Sequence, residues 1–219
     1  MHRAVLEIFP SLSLEKAQAS VERLRTEGLS PEQMVGRLNQ WRASNEALTR
    51  ELNGWIFNPA QGAGEGASST RFFDASRIRA CWRDGLTGHT ESAGRTLSLS
   101  AGGLGDLPAL SNVFSHVRTL DLTGAKFSVE SFNLFCPAFP ELTTLTLNGT
   151  GLARLPEAVG SLGRLERLGL SGQRLAVAQS VYQHASGARL RWLDLSHNQL
   201  EEFNAGTFRS SDNDRAKLS

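Results

Sequence analysis

Two cysteines and five histidines are the side chains of this chain best suited to nucleophilic, acid–base or metal chemistry, and their spacing supports little of it. Cys81 lies three residues before Asp84 in a helical stretch, an arrangement in which a thiolate nucleophile is conceivable. The plainer reading, and the expectation, is a small buried residue beside Trp82. Cys136, in Phe135-Cys136-Pro137, is expected to fill space. The two cysteines form no C-x-x-C pair, so neither a disulfide framework nor a zinc site is expected. His2, His89, His116, His184 and His197 are scattered, with no H-x-x-x-H and no carboxylate at ligand spacing. Gly62-Ala63-Gly64-Glu65-Gly66 has the outline of a phosphate cradle, but no strand precedes it, and its composition reads as a linker. No catalytic residue, cofactor or metal is expected in this stretch.

The elements that would position any site are bounded by composition. The chain has 219 residues, 23 Lys plus Arg against 22 Asp plus Glu, and a net charge of +1. That near-balance gives no general pull toward nucleic acid or anionic lipid. The amino terminus Met1-His2-Arg3-Ala4-Val5-Leu6-Glu7 is interrupted by Glu7 and closed by Pro10, unlike a secretory signal. No apolar run approaches the roughly 20 residues that span a bilayer. A soluble protein made in the cytosol is expected. An export signal without apolar character, such as a type III secretion signal, is invisible to this test.

From about Arg95 to Phe203 a leucine pattern recurs. Its clearest copy, Leu190 to Leu200, reads L-x-x-L-x-L-x-x-N-x-L. The fourth position is Leu97, Leu120, Leu145, Leu168 and Leu193, at intervals of 23, 25, 23 and 25 residues. The sixth is Leu99, Leu122, Leu147, Leu170 and Leu195; the eleventh is Leu104, Phe127, Leu152, Leu175 and Leu200. All of these are apolar, the signature of a leucine-rich repeat array. The expected fold is therefore α/β: a leucine-rich repeat solenoid of about five repeats of 23–25 residues, over residues 86–208. The usual Asn of the ninth position is replaced by Gly102, Ala125, Thr150 and Gln173, and stands only at Asn198. Gly102 and Ala125 have no side chain to bond the turn, so the amino-terminal repeats should be the less regular ones. In Leu152 to Leu165, the residues Leu155, Val159, Leu162 and Leu165 should point inward, with Pro156 starting a single helical turn. Residues 209–219 read as a disordered or truncated tail that leaves the last repeat uncapped.

Residues 1–85 lack the repeat and read as a helical cap for its first unit. Ser13 starts one helix, carrying Leu14, Ala17, Val21 and Leu24, with Gly28 as its stop. Ser30-Pro31-Glu32-Gln33 starts the next with a capping box and a proline at the first helical position. From there Met34, Leu38, Trp41, Leu48, Leu52 and Trp55 form a stripe for one long helix, packed on the first as an antiparallel hairpin, with Asn45 fixing register in the seam. A third helix is expected over 71–84, with Phe72, Ala75, Ile78 and Trp82 on one face and Gly85 just past its end.

In each repeat strand the leucines face inward, so alternation puts the third, fifth and seventh positions on the concave side. The third position is Thr96, Thr119, Thr144, Arg167 and Trp192; the fifth is Ser98, Asp121, Thr146, Gly169 and Asp194. The seventh is Ser100, Thr123, Asn148, Ser171 and Ser196. This gives a polar face with Thr119, Asp121, Thr144, Thr146, Asn148, Arg167, Arg191, Trp192 and Asp194 as candidate protein-binding residues. Trp and Arg dominate many interfaces. Trp192 has a second reading, as a cover for the open end of the array. The expected ligand is a protein or peptide; no nucleic acid and no membrane span are expected.

Leu155-Pro156-Glu157-Ala158-Val159-Gly160-Ser161-Leu162-Gly163-Arg164-Leu165 resembles the return segment of bacterial leucine-rich repeats. Phe9-Pro10-Ser11-Leu12-Ser13, Leu48 to Trp55 and Arg77 to Arg83 resemble the region preceding the repeats in large pseudomonad-type proteins that end in a NEL ("novel E3 ligase") domain. The resemblance implies the substrate-recognition part of a ubiquitin-ligase-like bacterial effector, made in the bacterial cytoplasm and delivered into a host cell. In that family a cysteine in a C-x-D motif of a following helical domain does the catalysis. Neither Cys81-Trp82-Arg83 nor Cys136-Pro137-Ala138 matches that motif, so no catalytic residue carries over. The other readings are a standalone repeat scaffold or adhesion protein, and a cysteine enzyme acting through Cys81.

Overall fold

Local capping and a long apolar stripe set the first third of the chain. The computed structural model describes residues 1–58, 66–89, 95–99, 102–175 and 190–199. Helices α1 (His2–Ile8), α2 (Leu14–Thr26), α3 (Pro31–Phe57) and α4 (Ala67–Thr87) come first. Ser13 Oγ accepts from the Lys16 N–H at 3.3 Å, which starts α2. At α3, Ser30 Oγ accepts from the Gln33 N–H at 3.3 Å while Gln33 Oε1 accepts from the Ser30 N–H at 2.8 Å. This capping box contributes about 1 kcal/mol. Met34, Leu38, Trp41, Leu48, Leu52 and Trp55 are all buried along α3.

The helix packing differs from the hairpin expected. Helix α3 packs on α4 and α1, whereas α2 packs on α1 and α4. The reason is visible at the carboxyl end of α4, where Arg23 of α2 donates to the Leu86 carbonyl and Ser20 Oγ donates to that of Thr87 at 3.4 Å. Asn45 closes the end of α1, a short helix with no sequence signal: its Nδ2 donates to the Ile8 carbonyl at 3.2 Å. Gly85 is not past the end of α4 but inside it, and Gly88 ends the helix with φ 80°. Glycine is needed at 85 because an added Cβ would land within the imidazole of His116. Ala75, Ile78 and Trp82 are buried as expected, but Phe72 is 55% exposed, and Arg71 takes the buried place beside it.

Five short strands, β1 (Thr96–Ser98), β3 (Thr119–Asp121), β5 (Thr144–Thr146), β6 (Arg167–Gly169) and β7 (Trp192–Asp194), form one parallel sheet in the order β1-β3-β5-β6-β7. Leu97, Leu120, Leu145 and Leu168 pair in register and are buried, and Leu99, Leu122, Leu147 and Leu170, two residues on, are buried too. Leu193, on the last described strand, is only half-buried. Leu155, Val159, Leu162 and Leu165 are buried around a 3-10 turn, Glu157–Ser161, that follows Pro156. A short helix, α5 (Val129–Phe135), occupies the return segment one repeat earlier.

The ninth position explains the second, smaller sheet. Asn198 Nδ2 donates to the Leu170 and Leu195 carbonyls at 2.7 and 2.9 Å, and its Oδ1 accepts from the Leu175 N–H at 3.3 Å. Gln173 does the same work one repeat earlier, accepting from the Leu152 N–H at 2.8 Å and donating to the Leu147 carbonyl. Gly102 and Ala125 cannot. There the backbone pairs with itself: β2 (Gly102–Gly105) and β4 (Ala125–Phe127) form a parallel pair with a register shift between Gly103 and Gly105. The groups that lack a side-chain partner are thus satisfied by main chain.

Helix α4 packs on both β1 and β2, and one continuous apolar core runs from Val5 to Leu195. Arg71 ties the two parts together. Only 1% exposed, it donates to the Trp55 and Asn58 carbonyls, both at 2.7 Å, and through Nε to the Leu104 carbonyl at 2.8 Å. Its guanidinium lies 5.5 Å from the Trp55 ring centroid. It therefore satisfies the end of α3, where a cation suits the helix dipole, and clamps β2 beneath it. Burial lowers its pKa, and Asp106 partly opposes that shift.

Candidate functional site

The sheet's register assembles the expected face. Thr96, Thr119, Thr144, Arg167 and Trp192 stand in one row across five strands, and Ser98, Asp121, Thr146, Gly169 and Asp194 in the next. Between them, the leucines turn to the core, as a period of two requires. Thr119, Asp121, Thr144, Thr146, Asn148 and Asp194 are half-buried, Arg167 is exposed, and Trp192 is 36% exposed. Arg191 is exposed too, but it precedes β7 and stands outside both rows.

The seventh-position residues add a third, hydrogen-bonded row. Asn148 Oδ1 accepts from the Ser171 N–H at 2.9 Å, and Ser196 Oγ donates to Ser171 Oγ at 2.8 Å. Ser100 lies outside the described residues. Gly169 has a reason: a Cβ there would meet Asn148 Oδ1 at 2.9 Å, so a side chain would push Asn148 off Ser171. Asp121 Oδ1 accepts from the Thr123 N–H and hydroxyl, at 3.0 and 2.7 Å, and Asp194 Oδ1 from the Ser196 N–H at 3.0 Å. The largest group on the face is a cation–aromatic pair. The Arg167 guanidinium lies 4.9 Å from the Trp192 ring centroid.

The thiols have no chemistry of that kind. Cys81 is 7% exposed, and burial, with Asp84 adding to it, pushes its pKa up to about 12. Its Sγ is 3.6 Å from His116 Nε2, a pairing the sequence did not suggest. That nitrogen also lies 2.9 Å from the Cys81 carbonyl, which can only accept. The Nε2 proton is therefore committed to the backbone, and Nε2 is not a base for the thiol. Burial lowers the His116 pKa, and the bond to the Cys81 carbonyl opposes that shift. Cys136 is fully buried, and its thiol too is pushed up to about 12. Among the described residues no group of three or more His, Cys, Asp or Glu could hold a metal ion, and no helix is long and apolar enough to cross a membrane. Of the glycine-rich stretch, residues 62–65 lie outside the described residues, and Gly66 caps α4.

Comparison with known proteins agrees on the repeat. The Leucine Rich Repeat family profile matches residues 189–211, which include β7. No curated protein matches the sequence. Among solved structures, a leucine-rich repeat protein of Leptospira interrogans is similar at 25% identity and a TM-score of 0.40, over 49% of this chain and 26% of that one. The BIR2 ectodomain from Arabidopsis thaliana is similar at 19% identity and a TM-score of 0.32, over 44% of this chain and 62% of that one. The match spans less than two thirds of either protein's length. The chain thus carries a leucine-rich repeat, and its parallel sheet with flanking helices fits an α/β leucine-rich repeat fold. Proteins of that kind act generally in protein–protein recognition.

Proposed function

We propose that this chain is a non-catalytic protein-recognition module. In this reading residues 86–208 form a solenoid of about five repeats of 23–25 residues, residues 1–85 cap the first repeat, and the concave side of the sheet takes a protein or peptide ligand. The observation that carries it is the registered, polar and uncrowded face whose one bulky cluster is Arg167 on Trp192. Such a face lacks a buried acid–base pair but offers hydroxyls, carboxylates and an aromatic–Arg anchor, the materials of an interface. Five strands at about 4.8 Å make it about 20 Å wide, suited to a loop or peptide.

The finer reading is the substrate-binding part of a NEL-type ubiquitin-ligase-like bacterial protein, made in the bacterial cytoplasm and passed into a host cell. Its support is the resemblance of the helical segment, together with the elevated pKa of both thiols, which argues against Cys81 as a nucleophile in its own right. The intact mass of the native product tests this reading. A product far above 23.8 kDa, with a C-x-D cysteine beyond Ser219, is expected. A native product near 23.8 kDa would reduce the ligase connection to ancestry and leave a standalone recognition protein.

A further inference from the structure

The concave face carries a charge pattern with an unmet half on each side. Arg167 is exposed, and its guanidinium carbon lies 4.9 Å from the centroid of the Trp192 indole, over the ring. Among the described residues it forms no ion pair and donates no hydrogen bond, so its planar fork of donors is oriented and unused. Asp194 is the fifth-position residue of the neighbouring strand, opposite Gly169. One of its oxygens accepts from the Ser196 N–H at 3.0 Å, and among the described residues no cation answers its charge. Neighbouring strands are about 4.8 Å apart and two residues along a strand about 6.6 Å, so the backbones of the two residues lie on a diagonal of about 8 Å. The Arg167 guanidinium carbon, however, lies 4.9 Å from the ring centroid of Trp192, two residues before Asp194 on the same strand, which brings its charge toward a spacing of about 6.6 Å from Asp194. Side chains on one face of an extended peptide, two residues apart, repeat at about 6.6 Å, so a strand-like segment matches that spacing.

Resting on the recognition role proposed above, we infer that Arg167 and Asp194 select an extended polypeptide segment bearing an acidic and a basic side chain separated by one residue. The carboxylate sits on the Arg167 fork, which Trp192 has already ordered, so less side-chain entropy is lost on binding. The cation sits on Asp194. Thr144 and Thr146, on the adjoining strand, leave room for the segment to pass. A peptide carrying two acids would bring a like charge to Asp194, and one carrying two bases would meet Arg167, so the pair discriminates by repulsion as well as attraction.

The test selects a displayed library of random dodecapeptides on the full chain, then measures the affinity of the recovered peptides for variants. The expected result is an acidic and a basic residue two apart in the recovered sequences, a loss of at least ~10-fold with Arg167→Glu or Asp194→Lys, and recovery when the peptide's matching charge is inverted. Thermal unfolding confirms that both exposed-face variants remain folded. Thr144→Trp, which blocks the face and adds no charge, separates the two levels of the claim. Peptides lost on Thr144→Trp but indifferent to Arg167→Glu would overturn the charge pairing and leave the recognition face standing. An empty selection, or peptides indifferent to Thr144→Trp, would overturn both.

Discussion

Arg167 and Trp192 occupy the same register position on neighbouring strands, with the guanidinium carbon 4.9 Å from the indole centroid. The contact runs along the exposed row rather than into the core. It bears on the two readings of Trp192, as a binding anchor or as a cover for the end of the array. A stacking contact at an exposed site is worth about 0.5–1 kcal/mol. Trp192→Ala is therefore expected to lower unfolding stability in urea by no more than about 1 kcal/mol. A loss of several kcal/mol would instead assign the ring to the end of the core.

Arg71 is expected to be the most sensitive polar position of the chain. Its removal strands the carbonyls of Trp55 and Leu104, both in buried residues, and takes a partner from that of Asn58, an exposed residue. Each unsatisfied buried acceptor costs about 1–3 kcal/mol. Arg71→Met should destabilise by more than about 3 kcal/mol, measured as the shift in chemical unfolding free energy. A loss under about 1 kcal/mol would show that the clamp between α3, α4 and β2 is dispensable.

Acid should loosen the junction between α4 and the sheet through His116. Burial lowers its pKa below the ordinary 6.5, with Arg118 acting in the same direction; the Cys81 carbonyl and Asp84 oppose the shift. Because the unfolded chain takes up the proton first, the stability that His116 contributes is complete above pH 6.5 and is lost as pH falls toward the folded value. The wild type should thus lose more stability than His116→Gln between pH 7.5 and 5.5 in matched urea titrations. Parallel losses in the two proteins would remove His116 from the account.

The thiols give a fourth check. With both pushed up to about 12 by burial, neither Cys81 nor Cys136 should react with a disulfide reagent at neutral pH except through unfolding. Labelling followed by mass spectrometry should rise in step with the unfolding transition. Rapid labelling of Cys81 in the folded chain would restore the enzymatic reading.

The residues that repeat were legible in the sequence; the residues that join unlike parts were not. Strand alternation placed Thr119, Thr144, Arg167 and Trp192 in one row because a period of two leaves a strand little choice once its leucines are buried. Capping signals likewise found the starts of α2 and α3. Helix-to-helix packing departs from the expected hairpin because a stripe such as Met34 to Trp55 says that a face is buried but not against what. Gly85 looked like a helix end, yet it is a clearance for His116, 31 residues further on. The missing asparagines at Gly102 and Ala125 did mark irregularity, but nothing local announced that β2 and β4 would pair there. The turn after each strand carries a further signal. The eighth position of the repeat takes positive φ at Gly124, Gly149 and Gly172, and at His197 in the last described repeat. Residues 200–208, the end of the expected repeat region, and the tail beyond them lie outside the described residues, and so does the expectation of an uncapped end.

The most direct measurement is the affinity of library-selected peptides for two variants of the folded chain. Trp192→Ala combined with Asp194→Ala alters the strand face, whereas Glu157→Lys alters an exposed residue of the return segment. If the sheet face is the recognition surface, the first weakens binding at least ~10-fold while the chain still unfolds in one cooperative transition, and the second leaves affinity within about twofold. Loss of binding with Glu157→Lys and none with the double variant would place recognition on the other side of the molecule and contradict the account.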